Sequence, residues 1–225
     1  MLDALFTEEI KKYLYKIIFP ATLATLRMVF FTILIGFVAG LSIAVLLTLY
    51  GSKGLNPKRK LAFIFDSVIN FIRSLPGIIL IVALMPLSKL IVGTTIGESA
   101  VIVPLGISAT AFIAKALEST FIEVDEQLIE AARSFGATDF QIVVHVIIQE
   151  SIPSIVSLLT MSTVYYIAGT TIAGAVGGGG LGAVALNYGY QSFNSTVLFI
   201  CVFIIYFMVQ VVEWIGGRIY KKLSK

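Results

Sequence analysis

Few side chains in this sequence could perform catalysis or hold a metal ion. His145 is the only histidine, and it has no cysteine or carboxylate partner at the spacing of a metal site. Cys201 is the only cysteine, which excludes an intrachain disulfide, and its apolar surroundings in the sequence predict a packing role. A single histidine also offers no convincing Ser/His/Asp set. The sequence therefore predicts a chain that is not an enzyme and has no catalytic residue, metal site or cofactor of its own.

The glycine-rich run GAVGGGGLG, residues 174–182, invites comparison with a phosphate-binding loop. No Gly-Lys-Ser/Thr follows it, so we do not expect a nucleotide site there. We expect a glycine-rich connection over residues 177–192, either flexible or tightly turned, beside a helix end. The alternative is that this run contacts a protein that delivers a substrate.

Carboxylates are concentrated in residues 117–153, called here the acidic segment. It holds seven of the thirteen Asp and Glu residues. They are Glu118, Glu123, Asp125, Glu126, Glu130, Asp139 and Glu150. Helices that lie on lipid usually carry Lys and Arg on their polar face, whereas this segment is acidic. We therefore predict an element that docks a soluble partner rather than a lipid-bound helix.

Two short helices that meet at a glycine turn are predicted within the acidic segment. Residues 125–135 place apolar side chains on one face and polar side chains on the other. The apolar residues are Leu128, Ile129, Ala132 and Phe135, and the polar residues are Gln127, Glu130, Arg133 and Ser134. Gly136 suits the position after a helix end, where φ is positive. Thr138 stands three residues before Gln141, a capping-box pattern that begins a second helix.

The composition places the rest of the chain in a membrane. The 225 residues are 58% hydrophobic and 13% charged, against roughly 25% charged in soluble domains. The mean hydropathy is +0.98. Long unbroken apolar runs, rather than short alternating segments, favour helices over a β-barrel. We predict an all-α polytopic membrane protein that forms a single transmembrane domain over residues 1–225.

Five membrane-spanning helices are predicted, and a surface helix precedes them. The spans cover about 25–50, 61–90, 100–116, 154–176 and 193–215, with the acidic segment between the third and the fourth. The second span is interrupted near Pro76-Gly77. The surface helix covers Met1–Lys16 and is ended by Pro20. In the first span, Gly36 and Gly40 form a G-x-x-x-G pair that either lets a neighbouring helix approach closely or reflects the frequency of glycine in membrane helices.

The distribution of Lys and Arg predicts the orientation. The first loop, the acidic segment with the neighbouring Lys115, and the C-terminal tail fall on one side and together carry ten cations, while the other side carries four. Because cytoplasmic loops are enriched in Lys and Arg, we predict that the N-terminus is outside and that the acidic segment and the C-terminus are cytoplasmic.

Polar side chains inside the spans are candidates for a translocation pathway. Arg73 would lie ~18 Å along the second span from Leu61, close to mid-membrane. It either lines the pathway or is tied internally to Asn70 and Asp66, since unpaired charges at that depth are costly. In the fourth span the candidates are Tyr165, Tyr166, Thr170, Thr171 and the adjacent Ile172. The alternative for their polar groups is hydrogen bonding between helices.

The acidic segment resembles a known motif. Glu130-Ala131-Ala132, three residues, Gly136 and then QIV at 141–143 with a hydrophobic run are similar to the EAA motif of the permease subunits of ABC importers. Other stretches are similar to the methionine-importer branch of that family, so that the resemblance covers roughly residues 20–220. They are RSLP at 73–76, LIVGT at 90–94, VPL at 103–105, GAVGGGGLG at 174–182 and YGY at 188–190.

This resemblance implies a type I ABC importer permease of the bacterial inner membrane that works as a homodimer. It implies two separate ATP-binding cassette subunits, which would bind ATP and Mg²⁺, and an extracytoplasmic substrate-binding (lipo)protein. It implies methionine as the substrate, in the L-form and also as D-methionine and derivatives, and no nucleic acid partner. The residues that it assigns to contact with the ATPase are Leu128, Ile129, Glu130, Ala131, Ala132, Arg133, Ser134, Phe135, Gly136 and Ala137.

Two matters remain open from the sequence alone. Gln149 stands where the family usually has a proline, so that the second helix of the acidic segment is expected to run straighter into the fourth span. The substrate is not encoded by a few polar groups in a pore, and another small amino acid or related solute is the first alternative. A secondary transporter driven by an ion gradient is the alternative from a different class, but it would predict an internal inverted repeat that we do not find.

Overall fold

The computed structural model describes residues 13–224, and these residues form helices and no strand. The long helices are α1 (Leu14–Tyr50), α4 (Glu98–Ile122), α7 (Ile152–Ala173) and α9 (Ser195–Leu223). Between them lie α2 (Arg59–Ser74), α3 (Gly77–Val92) and α5 (Glu126–Ser134). Helix α6 consists of three contiguous segments, Asp139–Ile142, Val143–Ile147 and Ile148–Glu150. Helix α8 (Gly180–Val184) continues as the π-helical segment Ala185–Gln191.

Helices α1, α4, α7 and α9 are each long and apolar enough to cross a membrane. Helices α2 and α3 pass the same test only together, and they are bent by 113° at their break. Residues 13–224 thus contain four candidate crossings, or five if the bent pair is one crossing, and the all-α polytopic prediction is confirmed. The predicted interruption near Pro76-Gly77 is confirmed as well. A proline forces the residue before it out of the helical region, and Leu75 has ψ of 134°.

The bend corrects the predicted second span. Residues 61–90 are two helices rather than one continuous helix, so the mid-membrane depth that we predicted for Arg73 no longer follows. Arg73 lies in the last turn of α2, and its side chain is exposed.

The first span also differs from the prediction. Helix α1 begins at Leu14 rather than near residue 25, and Pro20 does not end it. The segment Leu14–Ile18 is π-helical, with the Phe19 N–H donating to the Leu14 carbonyl. This wider turn directly precedes Pro20, and it accommodates a residue that has no N–H for the regular helical pattern. Of the predicted surface helix at Met1–Lys16, the first twelve residues lie outside the described part of the chain.

The residues cluster into two compact units. The first unit comprises residues up to Thr32, Pro76–Gly106 and Thr163–Val212, and the second comprises Ile33–Leu75, Ile107–Ser162 and residues from Glu213 onward. The core of the first unit includes Ile18, Leu181, Val184, Val197 and Cys201, in agreement with the packing role predicted for the cysteine. The core of the second includes Leu47, Ile69, Ala111 and Ala114.

In the second unit, glycine allows α1 and α4 to approach closely. A Cβ atom built on Gly36 would lie 2.5 Å from the Cβ of Ala109, and one on Gly40 would lie 3.1 Å from the backbone nitrogen of Ala114. A Cβ at Gly36 would therefore clash, and one at Gly40 would fit only if α4 moved by a few tenths of an ångström. The close-packing interpretation of the G-x-x-x-G pair is therefore confirmed.

In the first unit, the glycine run is tightly turned rather than flexible. Gly177 and Gly179 have φ of 91° and 79°, and they reverse the chain between α7 and α8. Gly182 then lies against the backbone of Thr171, where a Cβ would not fit. The predicted connection over residues 177–192 is mostly helical, because α8 and its π-helical continuation fill residues 180–191.

Candidate functional site

The candidate site is the corner between α5 and α6, in the second unit. Helix α5 begins after Asp125, whose side chain accepts a hydrogen bond from the Gln127 N–H at 2.9 Å. An acidic cap of this kind satisfies a donor that the helix cannot satisfy itself and interacts favourably with the helix dipole. Asp125, which we predicted as the first residue of this helix, is therefore the capping residue directly before it.

Gly136 forms the turn of the corner, with φ of 83°. Its N–H donates to the Arg133 carbonyl at 2.9 Å, and the Ala137 N–H donates to the Ala132 carbonyl at 3.1 Å. This pair of bonds is a Schellman motif, in which a left-handed residue closes the helix. The positive φ predicted for Gly136 is confirmed.

Thr138 caps α6. The Thr138 N–H donates to Gln141 Oε1 at 2.9 Å, and the Gln141 N–H donates to Thr138 Oγ1 at 3.4 Å. Both halves of the predicted capping box are present. Two helix ends are thus fixed within five residues, and they hold the corner in one shape.

The side chains at the corner divide differently from the prediction. Ile129 and Ala132 are half-buried, but Leu128 is 41% exposed and Phe135 is 93% exposed. Helix α5 ends at Ser134, so Phe135 leaves the apolar face that we assigned to it. Phe140, on the first turn of α6, is 61% exposed and was not predicted as part of the site. Leu128, Phe135 and Phe140 give the corner an exposed apolar surface, which in a soluble protein usually marks an interaction site.

Arg133 ties the corner together. Its Nη2 atom donates to Asp139 Oδ1 at 2.9 Å, across the turn, and to the Leu55 carbonyl at 3.4 Å. Leu55 belongs to the loop between α1 and α2, and its own N–H donates to the Thr48 carbonyl at the end of α1. Helical periodicity had predicted only that Arg133 lies on the polar face of the helix. The one sign of its contact with Asp139 was the presence of an aspartate six residues later in the sequence.

A cavity of about 310 Å³ lies between α5 and the loop that follows α1. Lys53, Gly54 and Leu55 line it from the loop, and Ile129 and Arg133 line it from α5. The inner face of α5 is therefore incompletely packed. Beside the cavity, the hydrogen bond from Arg133 to the Leu55 carbonyl links α5 to the loop.

A charged cluster joins α2 to α4 in the same unit. Lys115 Nζ lies 2.8 Å from Asp66 Oδ1 and 2.7 Å from Glu118 Oε2, and Glu118 is only 5% exposed. The proposed internal tie between Asp66 and Arg73 is wrong, because Asp66 pairs with Lys115. Reasoning from the sequence missed Lys115, since its partner is 49 residues away.

The pathway candidates on α7 do not form one set. Tyr165 and Ile172 are 61% and 44% exposed and lie on the same side of the helix, seven residues apart. Met161, which we had not selected, is 71% exposed on that side. Thr170 is 1% exposed, and its hydroxyl donates to the Ile167 carbonyl in its own helix at 2.6 Å. The buried Thr170 does not belong to this open face.

Comparisons with known proteins were made over the whole chain. A family model described as "Binding-protein-dependent transport system inner membrane component" matches residues 43–225. The Vibrio cholerae protein named as a probable D-methionine transport system permease protein is 38% identical over 208 residues, 92% of each chain. The Bacillus subtilis methionine import system permease protein is 39% identical over 162 residues, 72% of this chain and 73% of that one.

A solved structure has a similar fold. It is described as an inward-facing conformation of the MetNI methionine ABC transporter. The likeness covers 94% of this chain and 98% of the other, with a TM-score of 0.90 and 35% sequence identity. Sequence and fold thus point in the same direction over nearly the full length of the chain.

Proposed function

This chain belongs to the family of binding-protein-dependent transport system inner membrane components, and from that premise we propose that it is the transmembrane permease subunit of an ATP-driven importer of methionine. Its relatives along 92% of its length carry methionine in their names. The observation that carries the proposal is the exposed α5–α6 corner, which two helix caps fix between α4 and α7, helices long and apolar enough to cross a membrane. The protein is a multi-pass protein of the bacterial inner membrane.

The corner is the contact with the ATPase. Leu128 and Phe135 are exposed, and Ala131 between them keeps the surface low, so that a groove of the ATPase can approach the helix closely. Two ATP-binding cassette subunits bind ATP and Mg²⁺ and supply the energy, while the permease itself does not hydrolyse ATP. The charge distribution supports a cytoplasmic corner and C-terminus and an outside N-terminus.

Motion at the corner reaches α7 through a hydrogen-bonded turn. The Ser151 N–H donates to the Ile147 carbonyl at 3.0 Å, and the Ile155 N–H donates to the Ser151 carbonyl at 2.8 Å. Hydrogen bonds of helical spacing therefore join α6 to α7 across Ser151, the turn residue between them. A rigid helix transmits a displacement at one end to the residues along it.

The pathway forms between two copies of this chain. The side chains of Tyr165 and Ile172 are exposed in a single chain. An exposed apolar face on a membrane helix contacts either lipid or a second protein. A homodimer would place these two faces of α7 around a shared pathway. Closure of the two ATPase subunits would bring the paired corners together and turn the pathway from inward- to outward-facing. An extracytoplasmic binding protein would then release methionine into it.

Reconstitution tests this function. The permease, its ATPase and its binding protein are placed in proteoliposomes, and uptake of labelled L- and D-methionine is measured beside ATP hydrolysis. Glu130→Lys reverses a charge on α5, and we expect ATP hydrolysis to continue while methionine uptake is lost. Glu130→Gln is the matched control and retains more uptake.

Three outcomes would count against the proposal. A permease that is extracted from membranes without an ATPase contradicts the ABC importer function. Normal coupled uptake by Glu130→Lys contradicts the role of the corner. Uptake of another small amino acid that excess methionine does not inhibit contradicts the substrate alone.

A further inference from the structure

An acidic cleft lies beside the start of α5, in the second unit. It has a volume of about 400 Å³ and is lined by the end of α4, the residues that lead into α5, and the junction of α6 and α7. Glu123, Asp125 and Glu150 line it, together with Leu128 and Ser151. Leu128 is also part of the exposed apolar surface of the corner. A partner that covers this surface therefore also meets the mouth of the cleft.

The carboxylates of the cleft have no cation opposite them. None of the ion pairs found within residues 13–224 includes Glu123, Asp125 or Glu150. Asp125 accepts one hydrogen bond, from the Gln127 N–H. No Lys or Arg is among the residues that line the cleft. Three carboxylates in one concave site create a negative potential that attracts a positive charge.

Ser151 supplies an independent sign of a missing partner. It lines the cleft and is 3% exposed, and its Oγ atom has no hydrogen-bond partner among the described residues. A buried hydroxyl without a partner is unfavourable, and such groups are rare in native structures. Many serines and threonines of the apolar helices donate to a carbonyl of their own helix, as Thr160 does. Among the described residues Thr32 and Ser162 also have a buried hydroxyl without a partner, but neither lines the cleft. Ser151 is therefore placed to bond to a group that enters the cleft.

The geometry favours an organic cation over a metal ion. Within residues 13–224, no three His, Cys, Asp or Glu side chains are arranged to hold a metal ion. A guanidinium or ammonium group presents several donors at once, and it can satisfy separated carboxylates and a hydroxyl together.

We propose that this cleft receives a basic side chain, arginine or lysine, of the ATPase subunit. The inference rests on the proposed function, and it adds to the apolar corner a second contact that is polar and charged. The apolar corner would give the complex its stability, and the charged contact would fix the orientation of the ATPase on the permease.

The test measures the affinity between permease and ATPase in detergent at low and at high salt. In Glu123→Gln/Glu150→Gln the charges are removed and the shapes are kept. We expect the Kd for the ATPase to rise about tenfold at low salt and the salt dependence of binding to become weaker. Ser151→Ala should weaken binding without altering the salt dependence. Glu213→Gln changes an exposed carboxylate of α9 outside the cleft and should leave the Kd unchanged.

A second measurement identifies the occupant. The arginine and lysine residues on the permease-facing surface of the ATPase are replaced by alanine in turn and combined with Glu123→Gln. One of them should show a double-mutant effect clearly smaller than the product of the two single effects. Such a pair supports the proposal.

Other outcomes separate the inference from the proposed function. Saturable binding of Mg²⁺ or Ca²⁺ to the permease alone, lost in Glu123→Gln/Glu150→Gln, would overturn the inference in favour of a metal site. An unchanged Kd in a complex that assembles normally would overturn it as well and leave the importer function intact. Failure of the unaltered permease to bind any ATPase would overturn both.

Discussion

Arg133→Gln should uncouple transport at little expense in stability. The ion pair with Asp139 is 2.9 Å long, with the side chains 49% and 34% exposed, and a pair of this kind contributes ~0.2–1 kcal/mol. The contact with the Leu55 carbonyl is longer, at 3.4 Å, and adds less. We therefore expect the free energy of unfolding to fall by ~1 kcal/mol and Tm to fall by ~2–4 °C. If the variant loses the same ~1 kcal/mol of stabilisation of α5 in its observed position, the fraction of molecules with α5 in that position changes about fivefold.

The assay is the number of methionine molecules imported per ATP hydrolysed in proteoliposomes, measured beside Tm. Arg133→Gln should lower this ratio about fivefold, while Arg133→Lys, which keeps the charge, should recover part of it. Arg218→Gln is the control, because Arg218 stacks on Trp214 within its own helix, α9. Asp139→Asn added to Arg133→Gln should cause little further loss, since both remove the same pair. An unchanged ratio in a variant whose Tm falls as expected would refute the role of Arg133 in transmission.

Two further predictions concern the packing of the second unit. Gly36→Ala introduces a Cβ atom only 2.5 Å from the Cβ of Ala109, so we expect a loss of ~1–3 kcal/mol in stability, measured as a lower Tm. Gly217→Ala, with nothing within 4 Å of its Cβ, should not lower Tm, and equal effects of the two substitutions would contradict the close approach of α1 and α4. Lys115→Met leaves Glu118 buried and unpaired, so we expect a loss of ~3–5 kcal/mol by thermal unfolding. Adding Glu118→Gln should recover much of that loss, and an undiminished loss would show that the charge was not its cause.

The sequence predicted the corner well, because its signals are local. A glycine in the left-handed region and a Thr-Gln capping box act over a few residues, and Gly136 and Thr138 behave as their types require. The membrane class and the break at Pro76 follow from composition and from the stereochemistry of proline in the same way.

Contacts between distant parts of the chain were not predictable from one sequence. Lys115 could have paired with any carboxylate on a neighbouring helix, and only the packing of α2 on α4 selects Asp66. The exposure of Phe135 depends on where α5 ends, and helix ends are set by competition among several weak signals. The 113° bend between α2 and α3 was likewise not predictable, since a proline breaks a helix without setting the direction of the next one.

The hydroxyl groups of the apolar helices have a consequence for biogenesis. Thr22, Ser42, Thr48 and Thr160 each donate to the carbonyl oxygen one turn earlier in their own helix. Each helix therefore leaves the ribosome with these hydroxyls already satisfied, and it can partition into lipid before its neighbours exist.

Asp66 has no such local partner. Its cation, Lys115, follows 49 residues later, so α2 must be synthesised and held with an unpaired carboxylate until α4 emerges. Lys115, in contrast, carries Glu118 three residues away on its own helix. While residues 67–114 are being synthesised, Asp66 therefore lacks the cation with which it pairs in the folded protein.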